Sequence, residues 1–181
     1  VVVLGARVGD ESTPGFEIGA SGARVVLWGL TVQDSYSYGL RLGSVVVTLA
    51  DSRVLRSASI GAVVQSSAVF DADLALERTE ITESTHTGVH VQNSRGYVRL
   101  IDSTVQDTQS TSDGLWGYGI AALNAGTVEA TGSLVTRSAQ QGLAIDGDGT
   151  TVTLVDSAVR DTQTQQAYGF ECGIQAGAGA T

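Results

Sequence analysis

Lysine and methionine are absent from the 181 residues, and proline occurs once, at Pro14. The ten basic residues are therefore all arginines, set against 19 acids for a net charge of −9. Such a balance argues against nucleic acid and anionic membranes as partners, since both need a basic patch. The one cysteine, Cys172, has no internal disulfide partner and leaves the compartment open. No apolar run approaches the roughly 20 residues of a membrane span. The opening Val1-Val2-Val3-Leu4 has neither the basic flank nor the cleavage site of a signal peptide. With no initiator methionine and a start inside a repeat, the single domain 1–181 reads as a piece of a longer chain.

What the chain has in quantity is glycine (23 residues), valine, serine and threonine, a usage that favours strands and tight turns over helices. The stretch Val98–Thr108 recurs almost unchanged as Val152–Thr162 and again as Val47–Ser57. Apolar residues alternate, a polar corner of Asp-Ser type follows, then one aliphatic residue and another polar corner. A period of two interrupted by corners means short strands joined by bends.

Seven repeats fit one frame, starting at Val1, Val25, Val47, Leu74, Val98, Val128 and Val152. Two positions later stand Val3, Leu27, Leu49, Leu76, Leu100, Ala130 and Leu154. Seven positions after each start stand Val8, Val32, Val54, Ile81, Val105, Val135 and Val159. A glycine then marks each repeat, at positions 15, 39, 61, 88, 119, 142 and 169. Phe16 and Ile18 after the first glycine have counterparts in every repeat, ending with Phe170 and Cys172 in the seventh.

Each repeat is thus a coil of three short strands that cannot bury its apolar face alone. Stacking the coils pairs each strand with its copies about 4.8 Å above and below, so seven rungs make a rod roughly 30–35 Å long. Strand-to-parallel-strand crossovers are right-handed in nearly all proteins, which makes a right-handed coil the expectation. Two Ser/Thr columns, one through Ser52 and Ser103 and one through Ser57 and Thr108, are expected to form hydrogen-bonded ladders along the bends.

The repeat resembles that of right-handed parallel β-helix proteins of the pectate-lyase-like superfamily. It is most similar to repeats of large bacterial secreted or surface β-helix proteins, as in Val105-Gln106-Asp107-Thr108 and Asp113-Gly114-Leu115-Trp116-Gly117-Tyr118-Gly119-Ile120. The resemblance covers the whole chain and implies an all-β, single-stranded solenoid of about seven rungs. It does not choose among lyases, hydrolases, adhesins and structural rods.

Function in repeat proteins hangs on loops that a rung does not need. The aliphatic column and the glycine are seven residues apart in five repeats, fourteen in the fifth (adding about Gln109–Gly117) and ten in the seventh. Both insertions leave the same corner. Asp113, Trp116 and Tyr118 on the first, with Tyr168 on the second, form the candidate ligand site: an exposed aromatic beside an acid suits sugar-ring stacking. The alternative is that Trp116 folds back to cover the rod.

Other constellations carry less. Glu83 and Asp107 fall one rung apart, near the roughly 5 Å of a retaining glycosidase pair, where one carboxyl would be raised. Arg56 and Arg137 bracket them, however, and an alternating ladder is the simpler reading. Asp71 and Asp73 offer calcium too few ligands, and Asp146-Gly147-Asp148-Gly149 is a turn signal. His86 and His90 lack a placed third ligand, and His90 falls on an outward position where exposure is expected.

These readings assign no catalytic residue, metal or cofactor. They describe a non-enzymatic structural or adhesive rod of an extracellular or cell-surface bacterial protein, able to self-associate or meet neighbouring repeats at its open ends. The alternative is a polysaccharide-binding or polysaccharide-cleaving module.

Overall fold

Strands of three to six residues are joined by short bends and a few longer loops, and no helix interrupts them among the described residues. The computed structural model describes residues 15–19, 22–66, 71–163, 172–177 and 179–181. Val1, Val3, Val8, Tyr168, Gly169 and Phe170 lie outside these.

All pairing is parallel, and each strand neighbours its copies one rung away. Sheet A has seven strands: Phe16–Ile18, Leu40–Gly43, Ile60–Gln65, Thr87–Gln92, Tyr118–Leu123, Gln141–Asp146 and Cys172–Ala176. Sheet B has six: Arg24–Trp28, Val46–Ala50, Ala72–Glu77, Gly96–Ile101, Thr127–Thr131 and Thr151–Val155. Sheet C also has six, each of three residues: Thr31–Gln33, Arg53–Leu55, Glu80–Thr82, Thr104–Gln106, Leu134–Thr136 and Ala158–Arg160. The chain visits B, C and A in turn and then climbs one rung.

The register reproduces the columns of the repeat. Val47, Leu74, Val98 and Val128 are successive partners, as are Leu49, Leu76, Leu100 and Ala130, and Val54, Ile81, Val105 and Val135. All are buried in one core that fills the coil from end to end. Burial of each such aliphatic contributes about 1.5–3 kcal/mol before entropy.

The seventh rung departs from the expected frame. Leu143 pairs with Ile174 and Ile145 with Ala176, so Gly173 holds the glycine position, and Cys172 pairs with Gln141 at the corner. Cys172 is therefore half-buried and outside the core column. The shift of four residues makes the distance from Val159 to its glycine equal to that from Val105 to Gly119. Both insertions have the same length, and each rung closes in phase.

Corners are turned by one residue in the left-handed region. Between sheets B and C these are Asp51, Arg78, Asp102 and Asp156, with φ of 46–49°, and Gly29 and Gly132. Between sheets C and A they are Asp34, Arg56, Glu83, Asp107, Arg137 and Asp161, with φ of 52–57°. The strain, about 1 kcal/mol or more per non-glycine residue, is outweighed by pairing of the flanking strands.

The two hydroxyl columns behave differently. At the B–C corner Ser103 Oγ donates to the Leu76 and Ile101 carbonyls and accepts from the Thr79 amide at 3.0 Å, and Ser52 and Ser133 make equivalent links. At the C–A corner Ser57, Ser84, Thr108 and Ser138 are buried with no hydrogen-bond partner, contrary to the expected ladder. Their oxygens lie against the glycine column instead. A Cβ on Gly61 would stand 2.6 Å from Ser84 Oγ and 2.6 Å from the Gly88 carbonyl oxygen, and would run into Ile81. Close approach, not an unusual φ, is what demands glycine there.

Candidate functional site

The C–A corner carries the first insertion between Gln109 and Gly117. The loop leaves through a single bridge between Thr85 and Gln109 and turns back under its own hydrogen bonds. The Thr111 amide donates to the Leu115 carbonyl at 3.0 Å, and Gly114 to that of Thr111 at 2.8 Å. Asp113 accepts from Thr111 Oγ1 and from the Leu115 amide, which together hold its carboxyl below the usual range. Its side chain thus shapes the loop. Gln140, one rung on, donates through Nε2 to the Gly114 carbonyl at 2.6 Å.

This geometry lays Trp116 back on the preceding rung. The indole stacks on His86, and Tyr118 meets it edge-on, with centroids 5.7 Å apart and planes at 74°. The amides of Gly117 and Tyr118 both donate to the His86 carbonyl, at 2.8 and 3.0 Å. Trp116 still exposes part of its ring and Leu115 beside it is exposed. Of the expected site residues, the structure therefore gathers Trp116 and Tyr118, with Asp113 turned inward to its own loop. Tyr168 lies outside the described residues. Burial raises the Tyr118 phenol and lowers His86, the latter partly offset by the Asp113 charge.

His86 was the missing member. Its backbone, at φ 103°, and that of Trp116, at φ 65°, are left-handed although neither stands in a B–C or C–A corner column; the other such non-glycine residues among those described, Ser44, Asn93, Asn124 and Ala125, lie between sheets A and B. The only sequence signal was the coincidence of a histidine one rung below a tryptophan-bearing insertion.

His90 corrects a second expectation. It points outward from sheet A between Val63 and Ala121, yet both ring nitrogens are buried and unpartnered. Val63 and Ala121 are themselves only 1% exposed, although neither belongs to the central core. The outer face of sheet A is covered at this height. Desolvation, with the neighbouring His86, drives the His90 imidazole down to about 4.

The carboxylates pair across rungs with arginine. Arg137 grips Asp107 through Nε at 2.6 Å and Nη2 at 2.7 Å, Arg78 grips Asp51 at 2.7 and 2.8 Å, and Arg56 grips Asp34 at 2.6 and 3.1 Å. The Arg137 bond holds Asp107 below its ordinary value, the opposite of the rise that an acid–base pair with Glu83 requires. Asp71 pairs with Arg95 at 3.2 Å. The Asp146–Thr150 segment is a turn, with Thr150 Oγ1 donating to the Asp146 carbonyl at 2.8 Å. No group of three metal-ligating side chains occurs among the described residues.

A family model described as a right handed beta helix region matches residues 38–181. No curated protein and no solved structure matches the chain.

Proposed function

The chain belongs to the right-handed β-helix family, and we propose that it serves as a non-enzymatic structural or adhesive rod of a secreted or cell-surface protein. The observation that carries this reading is the arginine pairing of the corner carboxylates. Asp34, Asp51 and Asp107 each take a two-pronged grip from an arginine one rung away, which stiffens the stack and neutralises the acids a hydrolase would use. Individually such exposed pairs stabilise little; as ladders they keep like charges from stacking.

The test is incubation with a panel of neutral and acidic polysaccharides, following reducing ends and the ultraviolet absorbance of unsaturated products. Turnover that disappears in Asp107→Asn or Glu83→Gln would overturn the reading.

A second reading, contact with a polysaccharide, rests on the exposed part of Trp116 beside Leu115. One indole face is already taken by His86, so any sugar must use the remaining edge and the Tyr118 ring. In a Trp28→Phe background, Trp116 emission should shift with a binding saccharide. An unchanged spectrum across the panel removes this reading.

A further inference from the structure

Among the three faces of the rod, the outer side of sheet B stands apart. Sheet A is covered on its outer side around Val63 and Ala121, and sheet C has strands of only three residues. Its two ends carry exposed apolar side chains: Val26 (59%) and Trp28 (62%) on the lowest described strand, Val155 (47%) on the highest. Between them run acids on Ala72–Glu77, the Arg99 guanidinium on Gly96–Ile101, and Glu129 one strand above.

We propose that this face docks on the same face of a second copy of the chain, with the two rods antiparallel. A two-fold axis along the strands, placed between Ala72–Glu77 and Gly96–Ile101, maps the six described strands onto one another in reverse order. It sets Val26 and Trp28 against Thr153 and Val155 of the second copy, bringing the exposed apolar ends together. It also sets the Asp73 and Glu77 strand against the Arg99 strand. The other closed arrangement, with rods parallel, stacks Arg99 on Arg99, Glu129 on Glu129 and Asp73 on Glu77. Like charges opposed in this way disfavour it. An isologous contact needs a self-complementary face, and only the antiparallel pairing makes this one so.

Arg24 lies on the same face. Its side chain makes no hydrogen bond or ion pair among the described residues, whereas every other described arginine has a carboxylate partner. It shares the outer face of its strand with Val26 and Trp28, so the strand offers a cation outside any ion pair, with two apolar groups. Six strands at about 4.8 Å spacing and five or six residues at about 3.3 Å give a face of roughly 24 by 18 Å. Pairing two such faces buries about 900 Å² in all, the range of a weak, reversible association rather than an obligate dimer.

Sedimentation velocity of the whole chain across about 1 µM to 1 mM tests this, a dimer forming at the upper concentrations. Trp28→Glu is expected to weaken dimerisation at least about tenfold, because the aromatic anchor is replaced by a charge. Arg99→Ala is expected to weaken it too. Both side chains are exposed, and circular dichroism confirms that the variants fold. A monomer throughout the range overturns the proposal. So does open-ended association that Trp28→Glu leaves intact, which would place the contact at the ends of the stack. Strengthening by Arg99→Ala would mean parallel rods and overturns it as well. The pairing rests on the solenoid geometry alone: catalytic turnover would leave it standing, and a monomer would leave the non-enzymatic reading standing.

Discussion

The indole of Trp116 lies on the imidazole of His86, centroids 4.4 Å apart and planes 16° from parallel. The two residues belong to successive rungs, and the contact ties the longest described interruption of the repeat to the rung below it. Both backbones adopt a left-handed conformation that no corner of the coil requires. Strain of that kind, about 1–3 kcal/mol per residue, persists only where surrounding contacts over-determine it.

Removing the stack should therefore be visible at both partners. Trp116→Ala is expected to lower stability by about 1 kcal/mol, the worth of an aromatic pair. It should also move the His86 pKa upward toward its ordinary value, because burial is what lowers it. Nuclear magnetic resonance titration of the imidazole protons reads this directly. An unmoved His86 would mean that the indole does not desolvate it.

Acid should weaken the rod through His90. Its folded pKa of about 4 lies below the ordinary 6.5, so below pH 6.5 the unfolded chain takes up a proton that the folded chain refuses. Stability is full above that value, falls as the pH drops from 6.5 to about 4, and then levels off with respect to this group. The loss approaches about 3 kcal/mol. Urea melts across this range should show the decline, and His90→Gln should flatten it.

Two glycines separate space from conformation. Gly61→Ala drives a methyl into the Gly88 carbonyl, Ser84 Oγ and Ile81, and should cost about 3 kcal/mol or more. Gly43→Ala meets nothing within 4 Å and should be neutral or stabilise by about 0.5 kcal/mol. Equal effects of the two in thermal melts would contradict the packing account.

Cys172 should react with a thiol reagent in native buffer. It stands beside Gln141 at the corner of the last described sheet A strand, half-buried and outside the core column. Labelling only after denaturation would restore it to the column of Ile145.

The columns were legible because a parallel stack repeats each requirement at a fixed interval. Leu49, Leu76 and Leu100 all answer the same packing constraint, and one sequence displays it several times. The seventh rung was misread because Gly169 and Gly173 both precede an apolar residue, Phe170 and Ile174, and alternation alone cannot choose between them. Equal insertion lengths would have decided it. The corner charges were placed correctly, but their pairing depends on which way each arginine reaches. Neither the His86–Trp116 contact nor the burial of His90 obeys the repeat. The first arises where an insertion folds back onto the rung below it, and periodicity is silent about such chain.

The glycine column also gives the rod a direction. The atoms that a new methyl would strike at Gly39 belong to Val54, Ser57 and Gly61; at Gly61, to Ile81, Ser84 and Gly88; at Gly119, to Val135, Ser138 and Gly142. Every one lies on the following rung and none on the preceding one. A methyl added at one level therefore presses first on the next level toward the C-terminal end, so the coil's tightest packing is directional even though its strands are all equivalent.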